Sequence, residues 1–122
     1  LDHCGEAHLQ LVRLMAGTGA HMASGGDSPA GPSLVSPGMY RGFAQPWERR
    51  IVEEAHRLGL PYVIHICGRT EPILDDMLET GADGFDLDFI LALPVPETGL
   101  GLAIMDRLRK ASRPMASALT QL

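Results

Sequence analysis

Residues 58–68, Leu58-Gly59-Leu60-Pro61-Tyr62-Val63-Ile64-His65-Ile66-Cys67-Gly68, decide the fold. Gly59 stops the preceding helix as a left-handed cap. Pro61 to Ile66 is short, rich in β-formers and nearly all apolar. That pattern predicts a strand buried on both faces, as in a parallel sheet. Gly68 ends it. His65 and Cys67 stand two apart, so on a strand they project from one face. They do so at the C-terminal end, where parallel α/β folds place ligands and catalysis.

The pattern continues on both sides. Ser36-Pro37 reads as an N-cap followed by proline at the first helical position. Tyr40, Phe43, Ala44, Trp47, Ile51, Ala55 and Leu58 then recur at spacings of three and four, which makes one apolar helical face. Pro46 falls inside this run and predicts a kink or restart. Phe43 and Trp47 are expected in the core. Downstream, Thr70 is placed to cap a helix over 71–80, with Ile73, Leu74, Met77 and Leu78 facing inward. Gly81 closes it, and Gly84–Ile90 alternates as another strand. Upstream, residues 6–17 form a helix whose Leu11, Leu14 and Met15 fit an apolar stripe. Ala20–Gly26 is small and weakly patterned, a strand by position more than by propensity.

Alternating β and α segments with tight glycine turns argue for an α/β fold with parallel strands. About three strands are fewer than the roughly five or six of a typical sheet, so the sequence reads as a segment of a larger fold. Residues 1–92 form that segment. Residues 93–122 break the rhythm and make a divergent tail with at most one helix.

Composition narrows the function. The 122 residues are 45% hydrophobic and 20% charged, which is ordinary for a globular domain. Fifteen acidic against ten basic residues give a net charge of −5. That balance speaks against a nucleic-acid partner. No run of 18 apolar residues is present, so no membrane association is expected. Leu1–Glu6 has neither the basic nor the apolar region of a signal peptide. Without an initiator methionine, the sequence is expected to begin inside a longer protein. Two cysteines, Cys4 and Cys67, are too few for a disulfide framework, and a cytoplasmic location is the expectation.

Imidazole and thiolate both bind Zn²⁺ well, so His65 and Cys67 are candidate metal ligands. The alternative is a small buried thiol beside a hydrogen-bonded core histidine. Asp27 ends the first strand, and Asp86 and Asp88 share a face of the last. Each is a candidate ligand, base or helix cap. Gly25-Gly26 and Gly17/Gly19 complete neither a dinucleotide fingerprint nor a phosphate loop, and no G-x-S-x-G is present.

Ser36, Pro37, Tyr40, Phe43 and Pro46, the element His65-Ile66-Cys67-Gly68, and Glu79 to Asp88 together resemble the uroporphyrinogen decarboxylase superfamily, from about Leu9 to Phe89. The H-x-C-G element looks like its cobamide-dependent methyltransferase branch. The resemblance implies a partial (β/α)₈ TIM barrel. It implies that His65 and Cys67 bind zinc, which holds a substrate thiol as thiolate for attack on the methyl group of a methyl-Co(III) corrinoid. Asp27 and Asp88 would then line the cofactor site. The partners implied are a small-molecule thiol or a tetrapyrrole, and a corrinoid protein. No cysteine follows Cys67, so the branch's downstream zinc cysteine is not in this sequence, and the 122 residues by themselves are expected to be inactive. Tetrapyrrole decarboxylation, and a non-catalytic remnant that binds a corrinoid or tetrapyrrole, stand as alternatives.

Overall fold

A computed structural model describes residues 1–86. Helix α1 spans Asp2–Ala16. Strand β1, Ala23–Gly26, leads into a 3₁₀ turn at Ser28–Ala30. A short helix α2, Pro37–Met39, passes through a π-turn at Tyr40–Ala44 into helix α3, Gln45–Arg57. Strand β2 is Tyr62–His65. A 3₁₀ turn, Glu71–Ile73, opens helix α4, Leu74–Leu78, and strand β3 is Gly84–Asp86.

The sheet order is β1-β2-β3, and both pairings are parallel. Gly26 stands opposite His65, and His65 stands opposite Asp86, so the C-terminal ends of the three strands are level. This is the expected α/β arrangement, three consecutive strands with their connecting helices, and it matches a partial TIM barrel. The parts of the last strand beyond Asp86, and the tail from 93, lie outside the described residues.

The core lies on one side of the sheet. Leu9 and Val12 of α1, Ile51, Val52 and Ala55 of α3, and Ile73, Leu74 and Met77 of the α4 unit cluster with Tyr62, Ile64 and Ile66. Burial along β2 therefore alternates. Tyr62, Ile64 and Ile66 are buried, whereas Val63 and His65 are half-buried and Cys67 is exposed. The two-faced burial expected for this strand is thus met on one face only among the described residues.

The helix-initiating chemistry of α2 is as expected. Ser36 Oγ accepts the Met39 N–H at 3.2 Å, with Pro37 at the first position. The π-turn is the restart that Pro46 demands. Lacking an N–H, Pro46 cannot bond to the carbonyl of Gly42, and the chain resolves this with one i→i+5 turn, Gln45 N–H to Tyr40 O. Thr70 makes no side-chain cap; it is buried instead. Gly59, Gly68 and Gly81 have φ of +78°, +84° and +81°, as left-handed stops require.

Two expectations are corrected. On α1 the inward residues are Gly5, Leu9 and Val12, while Leu11 and Leu14 are 52% and 70% exposed. The stripe is set by the close approach of α3: a Cβ on Gly5 would overlap the Trp47 ring. Phe43 is not a core residue either. It is 56% exposed, and Trp47 is half-buried beneath the Arg50 guanidinium, 4.2 Å from the ring centroid. Asp83 ties the sheet to α3. Its Oδ2 accepts the Tyr62 N–H at 2.8 Å and lies 2.7 Å from His56 Nε2.

The contact at Gly5 gives a direct test. Gly5→Ala is expected to destabilise the protein by about 1–3 kcal/mol through overpacking against Trp47. Gly42→Ala, with open space around it, is expected to be neutral or stabilising. Urea midpoints of the two variants check this.

Candidate functional site

The alternation of β2 creates two separate clusters, one on each face. On the face away from the helices, His65 and Cys67 meet as expected: His65 Nε2 lies 3.0 Å from Cys67 Sγ. Register holds the histidine from the other side. His65 Nδ1 lies 3.1 Å from the Asp86 carbonyl oxygen and 3.2 Å from its Oδ2, because Asp86 is its neighbour on β3. A proton on Nδ1, donated to Asp86, leaves the Nε2 lone pair turned toward Cys67. The Ser28 hydroxyl donates to Cys67 Sγ at 3.0 Å and accepts the Cys67 N–H at 3.4 Å. The 3₁₀ turn after β1 delivers it there. The Asp27 N–H bonds the His65 carbonyl at 2.9 Å, and Gly31 lets that turn approach Cys67 O and Ile66 closely.

These donors fit zinc. Tetrahedral ligands at the usual Zn–N and Zn–S lengths stand about 3.6 Å apart, slightly beyond the present separation. Metal-bound histidines almost always donate their second ring nitrogen to a carbonyl or carboxylate, the role Asp86 fills here. His65 and Cys67 make two ligands. No third His, Cys, Asp or Glu joins them among the described residues. Of the other site candidates, Asp27 is not brought to this pair but lines a cavity on the opposite face, and Asp88 lies outside the described residues.

That cavity, of about 530 Å³, is enclosed by the first half of α1, the end of β1, the π-turn and the start of α3. Its polar groups are His8, Asp27, Tyr40, Glu48 and Tyr62. Tyr62 OH and His8 Nε2 share a hydrogen bond of 2.8 Å. The Tyr40 hydroxyl donates to Glu48 Oε2, whereas the buried Glu48 Oε1 has no partner. Burial holds the His8 imidazole below its ordinary range, against the pull of Asp27, and raises the Asp27 carboxyl against the pull of His8. Glu48 is pushed up to about 7, chiefly by burial and further by Asp27, with the Tyr40 hydrogen bond opposing. Burial likewise raises both tyrosines, Tyr62 to about 12.

The sequence carries signals for this second cluster. Glu48 falls four residues after Ala44 and three before Ile51, on the apolar stripe of α3, where a carboxylate is out of place. The small strand Ala23-Ser24-Gly25-Gly26 marks a close approach. A Cβ on Gly25 would overlap the Tyr62 hydroxyl and come within 2.8 Å of the His8 ring.

Comparison with known proteins identifies the family. The uroporphyrinogen decarboxylase (URO-D) family matches residues 1–97. The chain belongs to this family. A methylcobamide:CoM methyltransferase, MtbA, of Methanosarcina acetivorans is 31% identical over 88 residues, covering 72% of this chain and 26% of the relative. A uroporphyrinogen decarboxylase of Thermus thermophilus is 34% identical over 101 residues, covering 83% and 29%. Among solved structures, a methyltransferase from Methanosarcina mazei superposes with a TM-score of 0.73 at 25% identity, covering 92% of this chain and 30% of that one. This URO-D-family chain therefore spans about a quarter to a third of the length of these relatives. No helix among its described residues is long and apolar enough to cross a membrane.

Glu48 sets a pH dependence. In the fold it stays protonated to about pH 7, while in the unfolded chain it ionises near 4.5. The unfolded state loses its proton first, so Glu48's contribution to stability is complete below pH 4.5 and declines until about pH 7. Glu48→Gln, which keeps an acceptor for Tyr40, is expected to remove that decline. The variant should gain on the order of 3 kcal/mol on the wild type between pH 4 and pH 8. Urea midpoints of both proteins across this range measure it.

Proposed function

We propose that this chain carries part of the zinc site of a methyltransferase that moves a methyl group from a corrinoid to a small-molecule thiol. The observation that carries the reading is the His65–Cys67 pair, 3.0 Å apart and braced by Asp86 and Ser28 on either side. Its relation to a methylcobamide:CoM methyltransferase supports the same reading. Bound zinc would supply Lewis acidity, lowering the pKa of a coordinated thiol so that it is a nucleophile at neutral pH.

The chain's own residues have defined tasks in this reading. His65 closes β2 and Cys67 follows two residues later, so a short stretch of backbone sets the spacing of the two ligands. Asp86 fixes the histidine's tautomer, which keeps Nε2 free of its proton. The Ser28 hydroxyl offers a hydrogen bond to the cysteine sulfur and limits its rotation. Asp88 is proposed to line the cofactor side of the site; Asp27, which lines the cavity on the other face of β2, is not assigned to it. The remaining zinc ligands would come from elsewhere in the protein, since a closed tetrahedral site takes three or four from the polypeptide. A corrinoid protein is the partner this chemistry calls for.

Tetrapyrrole decarboxylation is the second reading, supported by the relation to the Thermus thermophilus enzyme. It leaves the His65–Cys67 pair and its two braces without a task.

Zinc content after exhaustive dialysis of the whole protein tests the proposal. The wild type and Cys4→Ser are expected to retain one equivalent. Cys67→Ser is expected to lose most of it, and Ser28→Ala to weaken binding roughly 10–100-fold. A full equivalent in Cys67→Ser would refute the metal assignment. Transfer of methyl from methylcobalamin to thiols, assayed beside CO₂ release from uroporphyrinogen, then separates the two activities.

A further inference from the structure

The cavity behind β2 has no part in the zinc chemistry, yet it has the features of a binding site. Its volume, about 530 Å³, falls within the range of small-molecule pockets. Met39, Phe43, Trp47 and Ile51 give it an apolar wall. Phe43 and Met39 are 56% and 49% exposed, and they stand at the mouth. Glu48 is only 6% exposed, and one of its oxygens is satisfied by Tyr40. The other, Oε1, is buried without a partner. A buried carboxylate oxygen left unpaired is costly, and native proteins almost always satisfy such groups.

The charge around the cavity selects what would satisfy it. Two carboxyl groups, Asp27 and Glu48, line it, and no lysine or arginine does among the described residues. His8 is biased toward its neutral form by burial. Among the lining side chains, an anion would meet only acidic and neutral groups. A ligand with an N–H donor and a positive charge would pair with Glu48 and favour its ionised form, while its apolar part would lie on aromatic surface.

We propose that this cavity binds a small organic ammonium ion, with an N–H donated to the Glu48 carboxylate and the apolar body against Met39, Phe43 and Trp47. The site lies on the opposite face of β2 from His65 and Cys67, so it stands or falls independently of the zinc reading.

Calorimetric titration of the whole protein with phenethylammonium, 2-phenylethanol and phenylacetate tests it. Phenethylammonium is expected to bind with one-to-one stoichiometry, at least tenfold tighter than the alcohol, and phenylacetate is expected not to bind. Glu48→Gln should weaken the ammonium at least tenfold and leave the alcohol unchanged. Phe43→Ala, at an exposed position where misfolding is not expected, should weaken both severalfold. Cys67→Ser should bind the ammonium like the wild type, which separates this site from the metal. The proposal is overturned if the wild type binds no phenethylammonium, if the three probes bind alike, or if Glu48→Gln or Phe43→Ala binds it as the wild type does.

Discussion

The two-residue period of β2 is the constraint on which the rest depends. Tyr62, Ile64 and Ile66 enter the helix layer, and Val63, His65 and Cys67 take the other side. Burying such side chains contributes about 1.5–3 kcal/mol each, so a one-residue slip of register would forfeit most of the core. The packing that holds the strand therefore also fixes the direction of His65 and Cys67. Their placement follows from hydrophobic burial on the opposite face and needs no separate stabilisation.

Parallel pairing extends that control to the neighbours. Because His65 stands opposite Asp86, its Nδ1 finds an acceptor on β3. Because β1 ends level with β2, the turn after Asp27 brings Ser28 onto Cys67. Three strands thus each contribute to one small polar cluster at their C-terminal ends. On the other face, the absence of a side chain at Gly25 lets Tyr62 and His8 meet, and the absence of one at Gly5 lets α1 close on Trp47. The cavity owes its shape to these two close approaches.

The sequence made the architecture legible where periodicity was strong. The apolar run at 61–66, the proline restart at 46 and the glycine stops all correspond to observed features, because each rests on backbone chemistry local to a few residues. The pairing of His65 with Cys67 was legible for the same reason. What depended on partners distant in sequence was not. The inward stripe of α1 is Gly5, Leu9 and Val12 because α3 packs there, and a glycine does not register in an apolar pattern. Glu48 and Tyr40 are eight residues apart in the sequence. Only the fold shows that their side chains share a buried hydrogen bond. Asp86 meets His65 because strand register sets the two opposite one another, which sequence alone does not show.

The central claim is that His65 and Cys67 act together as metal ligands on the open face of β2. X-ray absorption at the zinc edge of the whole protein tests it most directly. The account predicts a mixed first shell, with sulfur near 2.3 Å and nitrogen at about 2.0–2.1 Å, that loses one sulfur in Cys67→Ser and one imidazole in His65→Ala. A shell of oxygen and nitrogen alone, or one unchanged by both substitutions, would contradict it.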